Sequence, residues 1–599
     1  MAMTKGPATP QAAGSEVGWR VVGKAAAVVV DRPCAAVADG VELVLVRTPA
    51  GLRAYEARCP HQGTLLSEGD IVEGELVCRA HGWRFDTTTG ERKDAVPRAC
   101  LRAHAVKTEG AEVLVRLERE QASHVLLDKS RAKRTLADLP GPRGWPLFGN
   151  SLQIDVPRVH RMLEDWAREY GRIYKLSVMG KPAIVISDAE LAESLLRARP
   201  KLFRRSGAIE PVFAEMGTAG VFSAEGDAWR AQRRLAMQAL SNRHLRTFFP
   251  TLRRVTERLR ERWARAATSG QPVDIDDDLM RFTVDVTTSL VFSTDMDTLG
   301  SGGDVLQRQL SLVFPAFARR LLAAVPYWRF IRLPSDRALD RALAEIRTVQ
   351  QRLVSETHAR LASRAAGDDE PRDFIEAMLL ARDEDGQPFG DDVVYGNMMT
   401  MLLAGEDTTA HSLAWVVHYL CDHPQVVARM RAEADAALGQ ERTPGDFENA
   451  QRMPYLDAVA SETMRLSPVA PFLGLEANEE MVIDDVLVPQ GTWVDLMTRL
   501  PALDDANFGE AEQFRPERWL EERPHACPHV PSASMPFGSG PRICPGRSLA
   551  LLEMRVVLAT LVRNFDLERV GAAKDVREHF AFTMAPRGLR VRLSERQVS

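Results

Sequence analysis

The stretch Phe537-Gly-Ser-Gly-Pro-Arg-Ile-Cys-Pro-Gly546 decides how the rest of this chain is read. Gly538, Gly540 and Gly546 let the backbone turn tightly and come close to a flat partner. Pro541 and Pro545 restrict φ, so the loop is stiff as well as tight. A lone thiolate at Cys544, presented this way, suits axial ligation of haem iron, where sulfur pushes electron density toward bound oxygen. Arg542, two residues earlier, is placed to pair with a haem propionate. The competing reading is a buried thiol beside a turn.

The pattern Phe-x-x-Gly-x-Arg-x-Cys-x-Gly is matched at every fixed position from Phe537 to Gly546. The stretch therefore resembles the haem-ligand loop of the cytochrome P-450 monooxygenases, and Phe537, Arg542 and Cys544 become cofactor-binding candidates. Working outward, Asp391 to Cys421 carries one long helical pattern with Ala404-Gly-Glu-Asp-Thr-Thr409 in its middle. A threonine hydroxyl there can bond back to a backbone carbonyl and bend the helix. The run is similar to the family's oxygen-activation motif, which implies catalytic roles for Asp407 (relaying protons) and Thr408 (bonding the bound dioxygen). By spacing alone it is a helix kink with a solvated acid. Trp229 and Arg233, one turn apart, read as an amphipathic-helix pair. By resemblance to a Trp-x-x-x-Arg run they face a haem propionate.

Glu462-Thr-Met-Arg465 and Arg518 match the family's Glu–Arg–Arg triad, for which a structural role beneath the Cys loop is expected. One position departs from the family. Leu475 stands where an arginine often meets a propionate, so those contacts are expected to rest on Trp229, Arg233 and Arg542. His411, His418 and Cys421 read as ordinary residues of the long helix. His525-Ala-Cys-Pro-His529 reads as a surface loop.

The chain opens differently. From Trp19 to about Glu120, short β-rich runs are punctuated by Gly, Pro and Asp, the pattern of an antiparallel β fold. Cys59-Pro-His61 and Cys78-Arg-Ala-His81 lie inside it. Two Cys and two His suit zinc or a two-iron cluster. A single residue between Cys59 and His61 is short for zinc. With His81-Gly-Trp-Arg-Phe-Asp86, Gly90 and Pro97 behind them, the pairs resemble the Rieske proteins of oxygenase systems. That resemblance implies a [2Fe-2S] cluster with Cys59 and Cys78 on one iron and His61 and His81 on the other. It departs from the respiratory Rieske type at Leu65/Leu66, Arg79/Ala80, Trp83 and Phe85, where extra cysteines and hydroxyl donors are missing. A low potential of about −150 mV is expected.

These readings give a multidomain chain: an all-β Rieske domain over 15–120, an antiparallel sandwich with cluster-binding loops, then a linker over 121–138. A large, mainly α cytochrome P-450 fold with small β-sheets occupies 139–599, opened by the Pro-rich Leu139-Pro-Gly-Pro142. The 599 residues are 45% hydrophobic and 27% charged, enough for a large core, and the net charge of −5 calls for no nucleic acid. Seven cysteines make no disulfide scaffold, and a reducing cytoplasm is expected. No apolar run approaches the ~18 residues of a membrane span, so no anchor is expected.

Resemblance to both families implies a monooxygenase with haem b and the cluster. Dioxygen and a small apolar organic substrate would be its reactants. No Gly-x-Gly-x-x-Gly run follows a strand, so a separate NAD(P)H-dependent flavoprotein reductase is expected to feed the cluster, which feeds the haem. Competing readings are a haem-thiolate peroxygenase or isomerase, which the Asp407–Thr408 pair and the fused donor oppose, and a redox or gas sensor, which lacks an output domain. A Rieske dioxygenase fails for want of a two-His, one-carboxylate iron motif.

Overall fold

The computed structural model describes residues 19–38, 41–59, 65–78, 83–92, 101–117, 126–178, 180–300, 305–321, 323, 326–364, 371–382, 387–520 and 531–597. They form two compact units, one before residue 123 and one from it onward.

The first unit is all β among the described residues. Its larger sheet runs β1 (Trp19–Lys24), β9 (Glu112–Arg116), β8 (Ala103–Glu109), β4 (Gly51–Glu56), β3 (Val41–Thr48) and β2 (Cys34–Ala38). A smaller one is β5 (Asp70–Val72), β6 (Glu75–Val77) and β7 (Arg84–Asp86). The strand pairings of these two sheets are antiparallel. Strand β3 explains how one sheet serves two cores. Its side chains alternate across the pleat. Leu43 and Leu45 pack with Val113 and Val115 on one face, while Val44 and Val46 pack with Cys59, Cys78, Trp83 and Phe85 on the other. The strand is therefore apolar on both sides, and the cysteines sit in the second core.

The second unit is mainly helical. Five helices position its site: α1 (Gly226–Ala239), α2 (Ile275–Phe292), α3 (Asp391–Leu420), α4 (Pro454–Leu466) and α5 (Arg547–Asn564). Helix α3 is buried on nearly every face, as expected of a central helix. It touches α2 closely because Gly405 carries no side chain; a Cβ there would stand 2.4 Å from Thr287 Oγ1. A five-stranded sheet flanks the helices in the order 173–178, 181–186, 493–497, 472–477, 203–205. Its first two strands are paired as a hairpin from Ile173↔Ile186 to Val178↔Lys181.

Part of the segment read as a linker is built into this unit. Arg134–Thr135 pairs in parallel with Val486 and Leu487. Arg134 Nη2 lies 2.6 Å from Asp485 Oδ1, and Leu126 and Leu139 are buried in the core behind the sheet. Short turns lie at Lys129–Arg131 and Leu136–Asp138. Among the described residues no helix is long and apolar enough to cross a membrane.

Candidate functional site

The Cys loop of the second unit is shaped by backbone demands that local sequence meets. Gly538 and Gly540 adopt φ of 73° and 69°, the left-handed region that side chains disfavour. Gly540 is also pressed against its neighbour: a Cβ would stand 2.7 Å from Leu196 O and 2.8 Å from Arg197 Cα. Cys544 N donates to Phe537 O at 2.9 Å, closing the loop on itself. The thiol lies beside Gly546, whose Cβ would sit 3.8 Å from Cys544 Sγ. Gly546 caps α5, so the sulfur is held next to a helix N-terminus, a setting that favours thiolate. The Phe537 ring lies under the Arg547 guanidinium, 5.5 Å from its centroid.

Above the loop four arginines converge. Arg233, on α1, donates from Nη2 to Ile543 O at 2.5 Å. Arg542 donates to Ala224 O at 2.8 Å, pairs with Glu225, and stacks over the buried Trp229 ring at 4.6 Å. The other two, Arg199 and Arg205, were not anticipated. Arg205 sits on the strand Phe203–Arg205 directly opposite Leu475, so a guanidinium arrives from the neighbouring strand where Leu475 supplies none. Its guanidinium carbon lies 3.7 Å from the Phe222 ring centroid. Only the basic run Arg197 to Arg205 hinted at this; its placement depends on a pairing 270 residues away.

The cluster holds more positive charge than its surroundings answer. Burial, then the nearby Arg205, pushes the Arg542 pKa down to about 9, with Glu225 opposing. Burial pushes Arg205 down to about 10, with Glu225 and Cys544 opposing. Arg199 is lowered well below its ordinary value by burial and by Arg205 and Arg542. Arg542 Nε and Nη1, Arg205 Nε, and Arg199 Nε and Nη2 are buried without a hydrogen-bond partner. Buried guanidinium donors left in this way fit a ligand that brings its own carboxylates. A thiol below and cationic donors above fit haem, iron on Cys544 and propionates on the arginines.

Across the unit, α3 supplies Asp407 and Thr408. Thr408 Oγ1 donates to Ala404 O at 2.7 Å, the back-bond foreseen. Ala404 is exposed and Thr408 half-buried in the middle of a helix that is mostly enclosed, so this turn presents an open face. Thr409 hydrogen-bonds Glu553 of α5, tying the turn to the helix that leaves the Cys loop. Burial pushes Glu553 up to about 8. Asp407 is buried and its pKa is raised by burial, with His411 opposing. His411 is thus no ordinary core residue: its Nδ1 lies 3.0 Å from Thr583 Oγ1, and Thr583 also hydrogen-bonds Asp407. Glu462, Arg465 and Arg518 meet as a buried triad beside α5.

In the first unit Cys59 and Cys78 are buried, and neither is in a disulfide. Their loops are closed at the base: Leu66 N donates to Ala57 O at 2.6 Å, and Cys78 N to Trp83 O at 2.8 Å. Trp83 is covered by Arg92, 3.5 Å from the ring centroid. His61 and His81, the other two candidate ligands, lie outside the described residues, as do His525, Cys527 and His529.

A thiol loop beneath convergent arginines, in a unit whose central helix carries a back-bonded threonine turn, defines a haem-thiolate protein. The chain belongs to the cytochrome P450 family, whose model matches residues 139–593, and a Rieske [2Fe-2S] domain model matches residues 18–105. These two families imply haem and a [2Fe-2S] cluster. Among its relatives is a protein of Penicillium expansum named self-sufficient cytochrome P450 monooxygenase CYP505E4, 27% identical over 77% of this chain and 44% of its own. Another, from Gibberella moniliformis, is named bifunctional cytochrome P450/NADPH–P450 reductase, 26% identical over 78% and 41%. A third, LUTEIN DEFICIENT 5, chloroplastic, of Arabidopsis thaliana, is 27% identical over 71% and 72%. The chain spans less than half the length of the first two.

Metal analysis of the purified protein is expected to give one haem and one [2Fe-2S] cluster per chain, hence about three irons and two acid-labile sulfides. Stoichiometric zinc without labile sulfide would contradict the cluster.

Proposed function

We propose that this protein is a haem-thiolate monooxygenase that inserts one atom of dioxygen into a small apolar organic substrate, with electrons relayed through its Rieske cluster. The balance is substrate R–H, dioxygen, two electrons and two protons to R–OH and water. The observation that carries the reading is the Cys544 loop beneath buried arginines that lack enough anionic partners.

When bound, haem supplies the dioxygen chemistry. The chain's own residues do the rest. Cys544 would hold the haem iron through its sulfur, and Arg199, Arg205, Arg233 and Arg542, backed by Trp229, would hold the propionates. The Thr408 hydroxyl, now turned to Ala404 O, is a donor able to face the open side of its turn. Asp407 stands next to it in the chain, buried and with its pKa raised by that burial, and is the candidate proton donor. Phe213, Phe222, Phe317 and Phe582 form one aromatic group, with centroids 4.5 to 5.9 Å apart in the paired contacts, which favours an apolar substrate.

The electron source proposed is a separate NAD(P)H-dependent flavoprotein reductase, since a Rieske cluster carries single electrons and cannot accept hydride. A cytoplasmic setting suits thiolate and cluster alike. The test mixes the purified chain with NAD(P)H, with and without an added flavoprotein reductase, and follows haem reduction and substrate-induced spectral change across a compound library. Reduction by NAD(P)H alone would replace the separate reductase with one carried on the same polypeptide. A haem that never turns over dioxygen with any reductant would favour the peroxygenase or isomerase reading.

Thr408→Ala is expected to keep haem and electron uptake but lower product per reductant consumed by on the order of tenfold, the remainder appearing as hydrogen peroxide. An unchanged ratio would remove Thr408 from proton delivery.

A further inference from the structure

The acid read as a proton donor, Asp407, is buried, and its protons must come from somewhere. Three elements meet around it. Helix α3 provides Asp407 and His411, four residues apart and so on one face. The turn before the strand 584–587 provides Thr583. That strand is pinned to α3 by Trp415 Nε1 donating to Met584 O at 3.0 Å, and its Met584 N donates to Val469 O at 2.9 Å. The first turn of α2 provides Asp276, after the N-cap Asp274.

The contacts run in a line. Thr583 hydrogen-bonds Asp407 and lies 3.0 Å from His411 Nδ1. On the far side of the imidazole, Nε2 stands 3.5 Å from Asp276 Oδ1. Asp276 Oδ2 stands 3.7 Å from Arg587 Nη1, on a side chain 59% exposed. Asp407, Thr583, His411 and Asp276 are all at most 9% exposed. The line thus begins at water and ends at the buried acid. His411 Nε2 and Asp276 Oδ1 have no hydrogen-bond partner, so this contact is not a tight structural ion pair.

We propose that Asp276, His411 and Thr583, with Arg587 at the surface rim, form the path by which protons reach Asp407 from solvent. The proposal rests on reading Asp407 and Thr408 as the proton-delivery pair. Asp276 passes its carboxyl proton to His411 Nε2. His411 releases the Nδ1 proton to Thr583 Oγ1, and the Thr583 hydroxyl proton moves to the Asp407 carboxylate. Asp276 takes its next proton from water beside Arg587, and the imidazole and hydroxyl return to their starting tautomer and rotamer. No electron moves and no proton is lost.

The electrostatics suit these tasks. Burial pushes Asp276 up to about 7, with Arg587 opposing and Asp274 and Asp277 assisting, so it gains and loses a proton near neutrality. Burial lowers His411, with Asp407 opposing and Arg587 and His579 assisting. Burial thus favours the neutral imidazole, in which either ring nitrogen can carry the proton. The neighbouring Glu406 is pushed well up by burial and by Asp407.

The test uses the full chain carrying haem and cluster, with Asp276→Asn, Asp276→Glu, His411→Gln and Thr408→Ala. Carbon monoxide difference spectra establish that each variant holds haem as the parent does. Asp276→Asn and His411→Gln are each expected to lower product per reductant by on the order of tenfold and to raise the solvent deuterium isotope effect on turnover, while Asp276→Glu restores both. Independently of turnover, infrared spectra of the resting protein should show a carboxyl band titrating near pH 7 that Asp276→Asn removes. If Asp276→Asn and His411→Gln match the parent in coupling and isotope effect while Thr408→Ala does not, the path is overturned and the pair stands. If Thr408→Ala also matches the parent, the pair falls with it.

Discussion

Replacing Cys544 by alanine is expected to abolish haem-thiolate character and reduce monooxygenation to background, while leaving the fold and the Rieske cluster in place. The thiol is the group in the loop that can become an anionic ligand; backbone carbonyls are neutral, and those of Phe537 and Ile543 already accept from Cys544 N and Arg233 Nη2. Without it, haem would be held only through the arginines and would lack the chemistry that a thiolate ligand supplies to it. The loop itself should persist. Its shape comes from positive φ at Gly538 and Gly540 and from backbone bonds, none of which uses the thiol. Losing one half-buried sulfur costs on the order of 1 kcal/mol. The check is a carbon monoxide difference spectrum for the haem, electron paramagnetic resonance for the reduced cluster, and thermal unfolding for the fold. A variant that keeps the thiolate spectrum would move the axial ligand elsewhere; one that loses the cluster signal would show that the two units depend on each other.

What could be read from sequence was what local chemistry dictates. The Cys loop is legible because glycine, proline and cysteine at fixed spacing leave its backbone few conformations. The division into an all-β unit and a mainly helical one is legible because period-two runs give way to long helical patterns near residue 139. The α3 turn is legible because Thr408 can reach only its own helix, four residues back, and does so. What escaped depends on distant pairing. Leu475 was recognised as the wrong residue for a propionate contact, but nothing local says that Arg205 lies across a strand pair from it. His411 reads as one more residue of a buried helix until Asp276 and Thr583 arrive from elements more than a hundred residues away on either side. The double-sided burial of β3 is foreshadowed by its apolar run, but which residues share a core with Cys59 and Cys78 is fixed by sheet order.

Glu462→Ala is expected to destabilise the second unit by about 3–5 kcal/mol and to release haem, without any direct effect on chemistry. One buried carboxylate here answers five donors. Arg465 donates to it from Nε and Nη2 at 2.9 and 2.8 Å, Arg518 from Nε at 3.0 Å, Trp519 from Nε1 at 2.9 Å and Arg515 from its backbone N at 2.9 Å. The two guanidinium groups spend their remaining donors on carbonyls of the following segment: Arg465 on Ala502 and Ala511, Arg518 on Gly509 and Glu510. Glu462, Arg465 and Arg518 are each no more than 3% exposed. Truncating the carboxylate would strand two cations in the interior, and an unpaired buried charge costs far more than the pair contributed. The damage should reach the Cys loop through α4. Its Asp457 is held 2.5 Å from Arg555 Nε on α5, the helix that begins just past Cys544. Glu462→Gln keeps the shape but not the charge and should fall between parent and Glu462→Ala. Urea unfolding, with haem absorbance followed in parallel, measures the loss. Product formed per haem retained should match the parent in both variants. A variant that keeps its stability and haem but loses turnover would instead place Glu462 in the chemistry.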